Sequence, residues 1–202
     1  GPFRGQGLND VLTANQGNQD LTLFASTGNG VFANGIPAFS LNIDPVVVKG
    51  VYWDADEHID IVVLTDNNIA IAYGAPGGMF LPLRFFYDDQ DPTSLGPKTL
   101  RFAGATDMIV SDANRDCMPD LVVLSNKATK GMNLFIYSSN GSRAPGLAPP
   151  SEPVSFPTGS GPVLVRAGDF NGDDCEDLAV LNADADSFTI LMNSKCSAGV
   201  AP

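Results

Sequence analysis

The sequence predicts an all-β fold assembled from about four copies of one antiparallel unit. Three observations predict it. A fourteen-residue acidic segment recurs along the chain. Each recurrence is followed by two short Val-, Leu- and Ile-rich runs bounded by Gly, Asn, Asp and Ser, the pattern of strands in hairpins. No stretch carries a 3.6-residue apolar stripe long enough for a helix.

The clearest copy is Gly168–Leu181. Moved back 57 positions it meets Ser111–Leu124, and moved back 117 it meets Val51–Leu64. An eroded copy opens the chain at Phe3–Leu12. The last acids of the copies are Asp10, Asp60, Asp120 and Asp177, spaced by 50, 60 and 57 residues. A period of this size marks a repeat architecture, in which each unit is one supersecondary element that buries its apolar face against the next.

In chain order, the second apolar runs are Leu21–Phe24, Ile69–Tyr73, Asn133–Tyr137 and Phe188–Met192. Glycine-rich corners ending in Phe follow in two copies, at Gly28–Phe32 and Gly77–Phe80. A weaker one stands at Ser139-Asn140-Gly141. The units are expected at about 3–46, 47–104, 105–160 and 161–196, within one domain spanning 1–202. The Pro-rich stretches Tyr87–Pro97 and Gly141–Pro157 fall between copies and read as connections. Four units can close into a small β-propeller, since such rings run from about four to eight blades, or they can be part of a larger one.

Composition narrows the function. Eleven basic against 23 acidic residues give a net charge of −12, the wrong sign for nucleic acid or an anionic membrane surface. Clustered carboxylates would suit a cation. No run approaches the roughly 18–20 apolar residues of a membrane-spanning helix. Gly1-Pro2 looks like the scar left by a tag-cleaving protease, so the absence of an export signal carries no information on compartment.

The acidic segments read as metal loops. In the third and fourth copies, oxygen-bearing side chains occupy positions 1, 3, 5 and 9: Asp112, Asn114, Asp116 and Asp120, then Asp169, Asn171, Asp173 and Asp177. Position 7, Met118 or Cys175, would add a backbone carbonyl. Hard oxygen ligands in this number suit calcium, and the lack of His or Cys side chains at ligand positions disfavours zinc. Position 12, where an EF-hand or dockerin loop needs an acid, is Val123 or Val180. The second copy is a weaker site, with Tyr52 in place of the first ligand and Asp54, Asp56 and Asp60 remaining. The first copy, with Pro2, Arg4 and Gln6 at its ligand positions, is expected to hold no metal, with Arg4 supplying the charge.

The segment Val163–Val180, and the Gly-Asn-Gly-Val-Phe corner of the first copy, resemble the FG-GAP/VCBS repeat. This repeat is the blade unit of integrin α-chain propellers and many bacterial surface proteins. The resemblance covers nearly the whole chain, being strongest in the fourth copy and partial in the first two. It implies a β-propeller with calcium in the loops joining the first and second strands of each blade. The family is functionally broad, so it speaks to fold more than to activity.

The remaining chemistry-bearing residues are few. His58, the sole histidine, sits at position 7 of the second loop and reads as a backbone contributor, not a catalyst. Trp53 and Phe170, aligned just after loop position 1, read as core anchors. The cluster Phe80, Leu81, Leu83, Phe85, Phe86 and Tyr87 reads as an outer strand packing on its neighbour. If the last two strands pair with indices summing to about 370–371, Cys175 and Cys196 face each other, and a disulfide there would imply an oxidising compartment. Cys117 is then an unpaired thiol.

These readings lead to an expected non-catalytic, calcium-binding module, secreted, at the cell surface or periplasmic, that recognises a protein or glycan ligand. The alternatives are an accessory substrate-binding domain of a secreted polysaccharide-directed enzyme and a structural part of a surface assembly. A homo-oligomer, or further blades beyond this chain, would be consistent with either ring size.

Overall fold

Short apolar runs separated by polar turns can satisfy their backbone groups only by pairing with one another, and here they do so as successive antiparallel meanders. The computed structural model describes residues 1–4, 7–54, 56–86, 102–127, 131–138 and 153–194. These fall into two compact units, residues 1–86 and 102–194. No α-helix occurs among the described residues.

The first unit holds two sheets. Sheet 1 contains β1 (Val11–Asn15), β2 (Asp20–Phe24) and β5 (Ile36–Ser40), in the order β1-β2-β5. A ribbon of β3 (Ser26–Gly28) and β4 (Val31–Phe32) projects from it. Sheet 2 contains β6 (Pro45–Val51), β7 (Asp60–Thr65), β8 (Ile69–Ala72) and β11 (Arg84–Phe85), ordered β11-β8-β7-β6, with a ribbon of β9 (Gly74–Ala75) and β10 (Met79–Phe80). The second unit holds sheet 3, with β12 (Ala105–Ser111), β13 (Asp120–Ser125), β14 (Met132–Tyr137) and β15 (Val154–Pro157) paired in chain order. Sheet 4 has β16 (Pro162–Gly168), β17 (Asp177–Asn182) and β18 (Ser187–Leu191), also in chain order. The described strands form no closed sheet.

The repeat extends to irregularities. In β6, β12 and β16 the pairing with the next strand slips at the same place, between Pro45 and Val47, Ala105 and Asp107, and Pro162 and Leu164. Each slip is a one-residue bulge that increases local twist. At the second, the Thr106 hydroxyl donates to the Pro162 carbonyl at 3.1 Å, so the bulge also ties sheet 3 to sheet 4. Asp107 adds a second tie, accepting the Val165 N–H at 3.1 Å and pairing with Arg166 at 2.8 Å.

Facing sheets make one core per unit. In the first, Leu21, Leu23 and Leu41 meet Ile61, Val63, Ala70 and Ala72. In the second, Ile109, Val122, Leu124 and Leu134 meet Val165, Leu178 and Val180. Every residue of β7 and β13 is buried, which is why their sequences run apolar instead of alternating. The aromatic cluster does not form one outer strand but divides between β10 and β11: Phe86 is buried, the Phe80 ring lies 5.8 Å from Phe39 and 6.5 Å from Phe3, and Leu81 between the two strands is exposed. Tyr87, the third corner at Ser139-Asn140-Gly141 and most of the Pro-rich connections lie outside the described residues.

Two further expectations need correction. Trp53 is fully buried, but Phe170 is 49% exposed, because its ring lies beside Gly168 at the end of sheet 4 and no further sheet covers it among the described residues. The last hairpin pairs Leu178 with Leu191, so its indices sum to 369, and the four-residue turn Ala183–Asp186 sets this register in place of the anticipated 370–371. Cys175 is buried and precedes the first paired residue of this hairpin, and Cys196 lies outside the described residues. Cys117 is an exposed free thiol.

Leu124 and Leu181 hold the same place in β13 and β17, yet Leu124 is fully buried and Leu181 is 48% exposed. Leu124→Ala should therefore lose about 2–5 kcal/mol in chemical denaturation, and Leu181→Ala about 1 kcal/mol or less. Equal losses would show that sheet 4 is covered on both faces in solution.

Candidate metal centre

Each acidic loop joins the first strand of a sheet to the second: residues 52–59 between β6 and β7, 112–119 between β12 and β13, and 169–176 between β16 and β17. The chain must reverse here without strand partners, so side-chain oxygens take the N–H groups left over.

Loops three and four are the same structure twice. The N–H of Asp116 donates to Asp112 Oδ1 at 3.1 Å and to Asn114 Oδ1 at 2.9 Å, and that of Asp173 donates to Asp169 Oδ1 at 3.2 Å and Asn171 Oδ1 at 2.9 Å. One residue on, the N–H groups of Cys117 and Asp174 reach Asp112 Oδ2 and Asp169 Oδ2, both at 3.0 Å. The N–H groups of Met118 and Cys175 donate to Asp116 Oδ1 and Asp173 Oδ1 at 2.9 and 3.0 Å. Positions 4 and 6 take left-handed backbone in both loops, at Arg115 and Cys117 (φ 59° and 64°) and at Gly172 and Asp174 (φ 80° and 61°). Arg115 stands where the fourth loop uses glycine, and its guanidinium donates to the Asp174 carbonyl. The carboxylates at positions 1 and 5 and the amide at position 3 thus converge on one turn, as alternate spacing requires. At Asp169 the Gly172 N–H, above all, holds the carboxyl below its ordinary value.

Loop two keeps part of this pattern, with the Asp56 and His58 N–H groups donating to Asp54 Oδ1 and Asp56 Oδ1, but there the acids crowd most. Ligand oxygens of Asp54, Asp56 and Asp60 lie within 4.8 Å of one another, and among the described residues this is the acidic group that meets that spacing. Asp54 and Asp60 are both fully buried. Asp54 Oδ1 accepts the Asp56 N–H at 3.2 Å, but Asp54 Oδ2 is buried with no hydrogen-bond partner. Burial, assisted by the Asp56 charge, pushes the Asp54 carboxyl up. Burial likewise pushes Asp60 up to about 6, with the Asp54 charge adding to it. An orphaned carboxylate oxygen beside two more carboxylates is the donor set that a hard divalent cation completes, so these residues fit calcium. The copy that reads as weaker in sequence therefore carries the strongest structural argument, because burial is not visible in a count of acids.

The aspartate at position 9 has a second task in every loop. Asp60 accepts the Trp53 N–H at 2.7 Å and the Gly74 N–H at 2.8 Å. Asp177 accepts those of Phe170 and Asn193 at 3.1 and 2.8 Å, and Asp120 takes that of Ala113 at 3.0 Å. Asp10 accepts the N–H groups of Arg4 and Ser26 at 3.2 and 2.8 Å. In this first copy the Arg4 guanidinium also meets Asp10 Oδ1 at 2.9 Å and donates to the Ser26 carbonyl at 2.7 Å. Burial raises the Asp10 carboxyl, but the Arg4 side chain and the two N–H groups outweigh it and hold the pKa below its ordinary value.

A cleft that sequence reading missed adjoins loop two. Its volume is about 570 Å³, and Tyr52, Glu57 and His58 from the loop, Arg4 and Phe3 from the segment before β1, and Gly74 from the turn after β8 help to line it. The glycines of the corner let it close: a Cβ on Gly78 would lie 2.6 Å from Arg4 Cα, and one on Gly74 would lie 2.6 Å from the Ile59 carbonyl oxygen. Tyr52 at the first ligand position and the Gly77-Gly78 corner are the signals that marked this place.

Residues 112–180 match the FG-GAP-like repeat family. No curated protein matches the chain. Among solved structures, a lectin of Agrocybe aegerita, described as specifically recognising non-reducing terminal N-acetylglucosamine, has a similar fold. The TM-score is 0.56 at 14% identity, over 96% of this chain and 51% of that one. A Photorhabdus luminescens Tc holotoxin pore structure gives a TM-score of 0.47 at 17% identity, over 87% of this chain and 8% of that one. This chain thus spans about half the length of the lectin.

Proposed function

We propose that this chain is a calcium-stabilised β-propeller segment, acting outside the cell as a non-catalytic module that binds a glycan or protein ligand. The observation that carries the calcium reading is the buried group Asp54, Asp56 and Asp60 with its unpartnered Asp54 Oδ2. The acids of loops three and four, with the carbonyls of Met118 and Cys175, offer two further oxygen-rich turns of the same kind. Calcium supplies positive charge where the strand-joining turns concentrate negative charge, and so holds the turns closed. A repeat family with many ligands and a lectin of similar fold support a binding role. His58 has its N–H committed to Asp56 Oδ1 at 2.6 Å and has no nucleophile beside it in sequence, which supports a non-catalytic reading.

Thermal melting with calcium and with chelator tests the proposal. Calcium in the millimolar range should raise Tm, through preferential binding to the folded state. Asp54→Asn should raise Tm in chelator, by relieving the buried repulsion, and should lose part of the calcium increment. Asp169→Ala and Asp173→Ala should each reduce the increment, while Asp10→Ala should lower stability and leave the increment intact. No calcium shift in the unmodified chain would overturn the assignment.

The raised carboxyls give a second expectation. Asp60 binds its proton more tightly folded than unfolded, so in chelator the folded state holds more protons between about pH 4 and 6. Stability contributed by this group is present below its unfolded pKa and is lost as pH rises through about 6. Tm in chelator should therefore fall from pH 5 towards pH 7, and saturating calcium, which favours the ionised form, should flatten or reverse that slope. A chelated protein that becomes more stable over this range would contradict the crowded, buried loop.

A further inference from the structure

We propose that the cleft beside loop two is a carbohydrate subsite for a neutral pyranose, and that calcium orders it. The inference rests on the ligand-binding reading above and specifies its place and ligand class. The cavity, about 570 Å³, lies within the size range of small-ligand sites and accommodates one or two sugar rings. Its lining suits them. Phe3 and Ile59 supply apolar surface, and Tyr52, 48% exposed, presents an aromatic ring against which the C–H face of a pyranose can stack. Glu57 and His58 add planar polar groups for hydroxyls, and Gly74, Gly77 and Gly78 leave backbone unobstructed by side chains.

Charge selects among sugars. The Arg4 guanidinium is committed to Asp10 and to the Ser26 carbonyl, which leaves Glu57 without an opposing cation in a chain of net charge −12. Uronates, sialylated ends and phosphorylated sugars would meet like charge there. A protein ligand needs contact over roughly 800 Å² per partner, far more than this cleft presents.

The calcium dependence follows from sequence proximity. Tyr52, Glu57 and His58 alternate along the same short loop with Asp54 and Asp56, and the His58 N–H is bound to Asp56 Oδ1. Drawing the carboxylates together on a cation fixes the positions of the residues that line the cleft. Trp53, the sole tryptophan, is buried beside Tyr52 and reports on the loop by fluorescence.

The test is saturation-transfer NMR with the methyl glycosides of glucose, galactose, mannose, fucose, N-acetylglucosamine and N-acetylgalactosamine, each at millimolar concentration, in calcium and in chelator. At least one should show transfer and perturb Trp53 fluorescence in calcium, with transfer reduced in chelator. Tyr52→Ala and Glu57→Gln should weaken binding about tenfold or more. Tyr52→Phe should retain it, and Phe170→Ala, at the exposed aromatic of loop four, should leave it unchanged. If none of the glycosides binds, or if binding survives both Tyr52→Ala and Glu57→Gln, the subsite is wrong, even where calcium still raises Tm. If a glycoside binds through Tyr52 but calcium changes neither Tm nor binding, the subsite stands without its metal dependence, and the calcium reading falls.

Discussion

The interaction on which each repeat depends is a buried aspartate that accepts backbone N–H groups from two places at once. Asp10, Asp60 and Asp177 each take one N–H near the start of their loop and another from a residue further along, Ser26 after β2, Gly74 after β8 and Asn193 after β18. Those N–H groups lie where the chain leaves its sheet, so no strand carbonyl is available to them. A charged acceptor makes strong bonds with both and ties the loop to the far end of the meander. This explains why the last acid is the one loop residue present in all four copies, including the first, where the other ligand positions have been lost.

Such a residue brings negative charge into the fold, and the repeats compensate for it in different ways. In the first, Arg4 stands beside Asp10 as a built-in cation. In the third and fourth, the acids at positions 1 and 5, exposed except for the half-buried Asp112, accept the loop's own N–H groups, a concave arrangement of backbone dipoles that suits an anion. Each carboxylate oxygen has two lone pairs, so these bonds leave room for a cation as well. In the second, Asp54 and Asp56 also accept loop N–H groups, but Asp54 and Asp60 are buried together with no basic side chain bonded to them among the described residues, and burial lifts both pKa values. The proposed calcium ion is the missing counter-charge, at the loop where the protein itself supplies least.

Much of this was legible in the sequence, for physical reasons. The pairing of the strands on either side of each acidic segment followed from that segment, because a turn rich in Asp and Asn between two Val-rich runs has little choice but to join antiparallel strands. Arg4 opposite Asp10 was legible because a cation at a lost ligand position is chemically equivalent to the metal it replaces. Three things were not. The bulges at Val46, Thr106 and Val163 fall on β-branched residues, which are common throughout strands and so do not announce a bulge. The exposure of Phe170 depends on what lies beside sheet 4, not on its own surroundings in sequence. The crowding of loop two was hidden because the number of acids measures ligand supply, while burial depends on the packing around Asp54 and Asp60.

The second loop departs from the others in the residues that would least affect a metal and most affect a neighbour. Tyr52 takes the place of a ligand acid, and Glu57 and His58 line the cleft from positions 6 and 7. A loop that only stabilised the fold would gain from restoring the aspartate at position 52, as loops three and four show with Asp112 and Asp169. Retaining an exposed aromatic there gives up a carboxylate and leaves apolar surface in water, a combination that makes physical sense when the ring has something to contact. The same nine residues then face two ways, with carboxylates inward on the charge that needs neutralising and Tyr52, Glu57 and His58 outward on a cleft. Order on the first side sets the geometry of the second.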